Sequence, residues 1–483
     1  MPKRKLPPGP PGLPLIGAVS SFLSNPVDFM MDNYHRYGEV VRIDLLGIKG
    51  AALHGAAANK YILVDGVDNF LVAPLIERVH ARWIVGHGVL FIDDPEHKQQ
   101  RRLMMPAFHR KRIEEYQRTM REITAQRLNR WKPGATMDIA REMHQLALII
   151  AGRTLFSVDL GGSSRELGKA VATLVTSVTN PVNIALAQVP FDILGIGKGG
   201  TLRRSLARID ATLRKIIEEH ERDKRDTGDV VSMLVAARDE EGGRMTTEQM
   251  RDQLLTLFIA GHETSANALT WAFYLLAQHP HVTSKLLKEL DEQLHGEEPS
   301  AADLERLPYL DLVTKEVLRL YPPAPSANRM VKEAFEWKGY TMEPGELVSY
   351  VPFVSHRMPD QFPEPEVFKP ERFDPASKPQ PPPYAYIPFA AGPRSCIGAP
   401  FATMEIKTVL AMALQRFRLD LVPGQHLEAT VRTTVQPQDK ILVRAFPQDG
   451  NVDKSRARVT GNLVGAVARK KEGGKRRLFF LKA

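Results

Sequence analysis

The spacing of apolar positions along the chain is mostly helical. Long helical patterns dominate from residue 94 to about 321, with apolar side chains recurring every three to four positions. Leu202, Leu206, Ile209, Leu213 and Ile216 share one such face. A second long pattern opens at Thr246 or Thr247, runs to about Gln278 and is closed by Pro280. Nearer the start, Asn25 precedes Pro26, a cap followed by proline at the first helical position, and Gly38 ends that helix. Residues 39–46 then alternate like a strand, and short strands are expected near 326–350 and 418–445. A last helical pattern covers 399–417. Residues 359–388 are proline-rich without periodicity and read as a long ordered loop, a kind of segment that is usually functional or disordered. The apolar, glycine-bearing stretch 180–200 suits a mobile connection between two helices. The pattern predicts a mainly α protein with minor β and no internal repeat.

Composition adds exclusions. The 483 residues are 43% hydrophobic and 25% charged, the balance of a globular protein with a sizeable core. No apolar run approaches the roughly 18–20 residues of a membrane span. The longest, near 146–152 and 254–261, suit buried helix segments. The start is basic and then proline-rich, stiff and extended, without the apolar core of a secretory leader. A single cysteine excludes an intramolecular disulfide, a cysteine-only zinc site and a cluster held by several thiolates, and it points to the cytoplasm.

The formal charge of +9 invites a nucleic-acid or membrane-surface partner. Its distribution withdraws the invitation. Residues 450–483 carry ten basic and two acidic side chains, and Lys3, Arg4 and Lys5 add three more positive charges, which leaves 6–449 at −2. The body is nearly neutral and has no basic stripe interleaved with aromatics, so no nucleic-acid partner is expected.

The lone cysteine stands in Phe389-Ala-Ala-Gly392-Pro-Arg394-Ser-Cys396-Ile-Gly398, directly before a helical pattern. A thiolate there would be stabilised by backbone N–H groups and the helix dipole, and the glycines would let backbone pass close to a large flat ligand. Alone, the same residue would serve equally as a small buried apolar side chain. Three patterns accompany it. Glu316 and Arg319 stand at i and i+3 on a helix, followed by Leu320-Tyr321-Pro322-Pro323; in isolation they would be a surface ion pair. Ala260-Gly261-His262-Glu263-Thr264-Ser265 falls mid-helix. Glycine there costs about 1 kcal/mol relative to alanine, which points to close packing or a local widening of the helix. His97 and Arg101 lie one turn apart after Asp93-Asp94-Pro95.

The loop pattern F-x-x-G-x-R-x-C-x-G, with the other three patterns in this order, resembles the cytochrome P450 family over about residues 7–446. The resemblance implies that family's fold, a triangular helical body with a small β-sheet lobe, over residues 18–449. A basic, proline-rich segment (1–17) precedes it, and a basic tail (450–483) is expected to be disordered and without a catalytic part. The implied cofactor is haem b, iron protoporphyrin IX, with Cys396 as proximal thiolate and metal ligand. Phe389 would pack beside that ligand, and Gly398 belongs to the same cofactor-binding loop. Arg394, His97, Arg101 and Arg329 would bind the haem propionates, a task that suits guanidinium forks. His97 takes a place that many relatives fill with Trp. Glu316, Arg319 and Arg372 (within Pro370-Glu371-Arg372-Phe373) would form a structural triad that locks the loop leading to the cysteine. Ala260 and Gly261 would leave room for O₂ and substrate over the haem. Thr264 would hydrogen-bond dioxygen and Glu263 would relay protons, while His262 would face solvent or a polar network.

The implied activity is that of a haem-thiolate monooxygenase, which activates O₂ with two electrons and hydroxylates or epoxidises its substrate. Electrons would come from NAD(P)H through a separate redox partner, ferredoxin or flavodoxin-like. Lys98, Arg102, Arg110, Lys111, Arg112 and Lys407 are the cations expected to attract it. Substrate contacts are expected from residues 85–91, 257–261, 324–327 and 433–436. These are mostly apolar, so the substrate is a lipophilic small molecule of terpenoid, steroid, fatty acyl or macrolide type. A peroxygenase, an isomerase or a dehydratase on the same fold is the alternative, and the Glu263–Thr264 pair counts against it. A non-catalytic haem sensor would be a third reading, for which no regulatory module is present. The expected enzyme is a cytoplasmic monomer without a transmembrane anchor.

Overall fold

Asn25 caps the first helix as its sequence predicts. Its side chain accepts the Asp28 N–H at 3.1 Å, α1 (Pro26–Tyr37) follows, and Gly38 ends it at φ +84°. The computed structural model describes residues 5–12, 18, 22, 25–45, 47–158, 201–223 and 225–462. The connection expected at 180–200 lies outside the described residues. The other long helices are α2 (Glu96–Met104), α3 (Arg110–Leu128), α4 (Ile139–Phe156), α5 (Thr201–Asp223), α6 (Thr247–Gln278), α7 (Pro280–Leu294), α8 (Pro308–Leu320) and α9 (Ala399–Arg416). On α5 the predicted stripe is the buried one, with Leu206, Ile209, Leu213 and Ile216 in the core.

The axis of the molecule is α6. Thr246 Oγ1 accepts the Gln249 N–H at 3.2 Å and Gln249 Oε1 accepts the Thr246 N–H at 2.9 Å, a closed capping box. The 32-residue helix then runs about 48 Å and packs against α4, α5, α8 and α9. It is apolar nearly all round, as a helix inside a large core must be.

The β component is small. One sheet orders β1 (Val40–Leu45), β2 (Ile48–Leu53), β8 (Leu347–Tyr350), β5 (Ala327–Val331) and β3 (Phe70–Leu71). In it β2 runs parallel to β8, with Gly50 opposite Leu347. A Cβ at Gly50 would fall 1.8 Å from the Leu347 carbonyl oxygen, so this register needs glycine. A second sheet orders β4 (Thr136–Asp138), β12 (Leu442–Pro447) and β9 (Phe417–Leu421). Two hairpins complete the set, β6 (Phe335–Trp337) with β7 (Tyr340–Met342) and β10 (Ala429–Val431) with β11 (Val435–Pro437).

One boundary is corrected. Residues 450–462, expected within a disordered tail, are packed on the body. Val452, Ser455 and Ala457 are buried, and the Ala457 carbonyl accepts from Gln278 Nε2 at 2.9 Å. Leu427 and Thr460 pair through the backbone at 2.7 Å, and Asn462 Oδ1 accepts the Ala429 N–H at 2.8 Å. Backbone pairing and three small buried side chains hold this segment, where composition alone suggested a solvated one. Residues 463–483 lie outside the described residues.

Candidate active site

The cysteine motif closes on itself before α9 begins. The Cys396 N–H donates to the Phe389 carbonyl at 2.9 Å and the Ser395 N–H to that of Gly392 at 3.0 Å. Gly392 sits at φ +67°, and a Cβ there would come within 2.1 Å of the Leu63 carbonyl oxygen. Burial pushes the Cys396 thiol pKa up, and the Gly398 N–H, the Arg101 guanidinium and the Ala399 N–H oppose it. The residue nevertheless keeps an accessible surface. A thiol that is both desolvated and accessible borders interior space, not bulk water. Phe389 is half-buried and packs against the main core, so it supports the loop from behind.

Four further residues named by the sequence gather around this loop. Arg101 Nη1 donates to the Ser395 carbonyl at 2.7 Å. Arg394 Nη1 donates to the Ile92 carbonyl at 2.9 Å, and its Nη2 pairs with Asp93 Oδ1 at 2.8 Å. His97 Nδ1 lies 3.0 Å from Asp94 Oδ1, and burial, then the Arg394 guanidinium, pushes its pKa down. Arg329 stands over the Tyr350 ring, 5.6 Å from its centroid, and its charge reaches Arg394. Asp93 also accepts the N–H groups of Val72 and Ala73. Among the described residues neither Arg101 nor Arg329 has a carboxylate partner. Arg101 and Arg329, without a carboxylate of their own, together with Arg394 form a donor set for further carboxylates. The two propionates of haem answer that excess, and the accessible thiol answers its iron, so the residues present fit this cofactor. A propionate at Arg394 would share the fork with Asp93, a partner that the sequence did not suggest.

The helical motif lies at the centre of α6. Ser265 to Gln278 are all buried, yet Ile259, Ala260, Gly261 and Thr264 keep accessible surface. Ala260, Gly261 and Thr264 share one face, which therefore also borders interior space. A Cβ added at Gly261 meets nothing within 4 Å, so the glycine leaves room there and does not serve close packing. The expected local widening is not seen, and α6 is a continuous α-helix. The Thr264 hydroxyl donates instead to the Ala260 carbonyl at 2.7 Å. Glu263 is buried, which pushes its pKa up, and its Oε1 accepts from Thr434 Oγ1 at 2.8 Å. His262 does not face solvent and lies beside the His144 ring, the centroids 6.4 Å apart. It is buried, its Nδ1 lies 3.1 Å from the Phe258 carbonyl, and burial holds its pKa down at about 4.

Glu316, Arg319 and Arg372 meet in one buried network. Arg319 Nε and Nη2 donate to Glu316 Oε2 and Oε1 at 2.7 and 2.8 Å, a bidentate pair with both side chains fully buried. Arg372 Nε reaches Glu316 Oε1 at 3.0 Å, and the Lys369 N–H reaches the same oxygen at 2.8 Å. The remaining guanidinium hydrogens go to the carbonyls of His356, Pro363, Glu364, Pro365 and Val367. The network thus fixes the proline-rich loop to α8.

Other expectations shift. Lys407 is only 12% exposed and faces Asp311 at 3.9 Å, so it is not part of a basic docking surface. Arg102 pairs with Glu240, Arg110 with Glu114 and Glu305, and Arg112 with Glu115 and Asp226. Two features went unread in the sequence. Thr434 holds Glu263 from a hairpin, and Asn267 on the next turn of α6 holds Thr434. Glu405 lies inside α9 with both carboxyl oxygens unpartnered and Ser265 beside it, and burial pushes its pKa up to about 8. An acid set between apolar Met404 and Ile406 was the available signal for the second.

The chain is similar to known proteins over most of its length. The family model described as Cytochrome P450 matches residues 7–445. Cyclooctatin synthase from Streptomyces melanosporofaciens is 32% identical over 447 residues, 91% of this chain and 93% of that protein. Cyclooctat-9-en-7-ol 5-monooxygenase from the same organism is 31% identical over 424 residues, 86% of this chain and 90% of that protein. Among solved structures, the retinoic acid bound cyanobacterial CYP120A1 superposes with a TM-score of 0.83 at 28% identity, covering 92% of this chain and all of that one.

Proposed function

The chain belongs to the cytochrome P450 family and is a cytochrome P450 monooxygenase, and from that premise we propose that it hydroxylates or epoxidises a lipophilic terpenoid, with two electrons delivered from NAD(P)H by a separate redox protein. The observation that carries this reading is Glu263 beside Thr264 at the centre of α6: a buried acid whose environment favours the protonated form, next to a hydroxyl on the one accessible face of that helix.

Haem bound through Cys396 supplies the reduction of O₂ and the transfer of one oxygen atom to carbon. The chain's own residues do the rest. Gly398 and Ala399 direct N–H groups at the Cys396 sulfur and favour its thiolate. Arg101, Arg394, Arg329 and His97 hold the propionates. Ala260 and Gly261 keep the reacting face open. Thr264 Oγ1 presents a hydroxyl that can leave the Ala260 carbonyl for a substrate-side acceptor, and Glu263 holds the proton that follows. The wall formed by residues 85–91 is strapped to α6, with the His87 N–H on Asp252 Oδ2 at 2.6 Å and the Val89 N–H on Gln253 Oε1 at 2.8 Å. A fixed apolar wall suits a rigid carbocycle. The compounds for which the two Streptomyces relatives are named, cyclooctatin as product and cyclooctat-9-en-7-ol as substrate, and the retinoic acid bound in the cyanobacterial structure support a terpenoid over a fatty acyl chain or a macrolide. No described helix is long and apolar enough to cross a membrane.

The test is reconstitution of the haem-loaded protein with ferredoxin, its reductase and NADPH, against a panel of cyclic terpenes. The expected result is a product heavier by one oxygen atom that requires both O₂ and the electron chain. Turnover with hydrogen peroxide alone, or isomerisation without O₂, would overturn the proposal.

A further inference from the structure

We propose that Thr434 is a positioning residue for Glu263, holding one carboxyl oxygen so that the other is the atom that carries and releases the proton; this rests on the O₂-activating reading above. The four partners are Glu263 and Asn267 on α6, Thr434 in the turn between β10 and β11, and His144 on α4. Thr434 Oγ1 lies 2.8 Å from Glu263 Oε1, Asn267 Nδ2 lies 2.9 Å from Thr434 Oγ1, and His144 Nε2 lies 3.2 Å from Asn267 Oδ1. Glu263, Asn267 and Thr434 are all buried.

Hydrogen-bond chemistry gives this chain a direction. An amide nitrogen only donates, so Asn267 Nδ2 occupies a lone pair of Thr434 Oγ1. The single hydroxyl hydrogen of Thr434 is then committed to Glu263 Oε1. Asn267 Oδ1 accepts, which makes His144 the Nε2–H tautomer. Every donor in the chain points toward Glu263, and Oε1 is always an acceptor. A proton on Glu263 therefore sits on Oε2. When that proton leaves, the Thr434 hydroxyl is already aimed at the new carboxylate and stabilises it without reorganisation.

The turn that carries Thr434 is itself fixed. Trp271 Nε1 donates to the Val435 carbonyl at 3.0 Å, and the Val435 N–H donates to the Pro323 carbonyl at 3.0 Å. These anchors tie the hairpin to α6 and to the chain just beyond α8, so Thr434 has a set distance to Glu263. The titratable groups around the acid are few. Arg432, exposed on the same turn, lowers the Glu263 pKa by its charge. His144 from α4 and His262 from α6 are both held toward the neutral form by burial. Thr434 is the hydroxyl that counters the burial of Glu263 directly.

The experiment compares haem-loaded wild type, Thr434→Val, Thr434→Ser and Glu263→Gln. The first readout is a pH titration of the Glu263 carboxylic C=O stretch by infrared difference spectroscopy, with the band assigned by its loss in Glu263→Gln. The second is the rate and solvent isotope effect of O₂ consumption driven by reduced ferredoxin. Thr434→Val is expected to raise the Glu263 pKa by about one unit, to slow O₂ reduction roughly tenfold and to enlarge the isotope effect, with an unchanged carbon monoxide spectrum. Thr434→Ser is expected to restore all three. A Glu263 band that titrates identically in Thr434→Val overturns the proposal, as does a loss that Thr434→Ser does not restore. If Glu263→Gln reduces O₂ at the wild-type rate, the acid itself has no role, and the underlying reading falls together with the proposal.

Discussion

Arg372 Nε lies 3.0 Å from Glu316 Oε1 although 56 residues separate the two in sequence. That contact turns a local i, i+3 pair on α8 into a long-range lock. Replacing the carboxylate leaves two guanidinium groups buried beside each other, a far larger cost than losing a surface pair. Glu316→Gln is expected to destabilise the fold by roughly 3–5 kcal/mol and to yield protein largely without haem. Arg372→Lys keeps the charge but loses the fork to the carbonyls of residues 363, 364 and 367, and roughly 1–3 kcal/mol is expected. Urea unfolding and the haem-to-protein ratio check both.

A haem held through the Cys396 sulfur would take its electronic character from that thiolate. The reduced protein with carbon monoxide is expected to show the red-shifted Soret band of thiolate ligation. Cys396→His is expected to replace it with an imidazole-type band in protein that still folds. An imidazole-type spectrum in the intact wild type would remove Cys396 from its assigned place.

Thr264 is a hydroxyl in a site that otherwise offers Ala260, Gly261 and Ile259 as its neighbours on α6. Thr264→Ala removes the donor that releases from the Ala260 carbonyl, while the space is nearly unchanged. Product formed per electron consumed is expected to fall several-fold, with hydrogen peroxide making up the difference. Thr264→Ser should recover most of the coupling. Equal coupling in all three proteins would show that the hydroxyl plays no part in proton delivery.

Local signals were the ones the sequence carried well. Asn25, Pro26 and Gly38 delimit α1 because caps act within a turn, and the bounds of α6 follow from a capping box and Pro280. The cysteine loop was legible for the same reason, since all its constraints fall within ten residues. What stayed hidden depends on partners far apart in the chain. Arg394 meets Asp93 across 301 residues and Thr434 meets Glu263 across 171, and neither spacing leaves a periodic trace. Lys407 departs from its expected place on a docking surface because a lysine in sequence does not show whether its helix face is covered, and here only 12% of its side chain is exposed.

Buried histidines give stability a pH dependence with a definite sign. Burial pushes the pKa of His54 and His356 down to about 3 and that of His262 and His279 to about 4. His356 shows what neutrality protects: its Nε2 accepts the Ile387 N–H at 2.9 Å, and its Nδ1 donates to the Arg319 carbonyl at 3.2 Å. Unfolded histidines bind protons near pH 6.5, well above these values, so the unfolded chain takes up more protons in between. Stability is therefore lost as pH falls from about 6.5 toward 4, by up to ~1.4 kcal/mol per pH unit for each histidine. Glu405 has the opposite sign: its folded pKa of about 8 lies above the unfolded value, so its contribution declines as pH rises from about 4.5 to 8. Denaturant midpoints across pH 4.5–8 should fall at both ends. His279→Gln should flatten the acid limb and Glu405→Gln the alkaline one; unchanged slopes would show that these groups titrate normally in the fold.

The packing of residues 450–462 separates two truncations that composition would treat alike. A chain ending at residue 449 loses buried Val452, Ser455 and Ala457 and uncovers Leu427, which is 2% exposed in the full structure. It also frees the Gln278 amide inside the core and breaks the backbone pairs of Gly424 and Leu427 with Arg458 and Thr460. Gly461 marks how closely this segment lies: it sits at φ +122°, and a Cβ there would fall 1.8 Å from the Leu427 carbonyl oxygen. Truncation at 449 is expected to cost roughly 2–4 kcal/mol, from the apolar area exposed and the buried amide left unpaired. Truncation at 462 removes most of the basic charge of the tail and is expected to leave the unfolding midpoint and the carbon monoxide spectrum as in the full chain. Guanidinium unfolding of the two shortened proteins decides between them, and equal midpoints would mean that the 450–462 segment packs without stabilising.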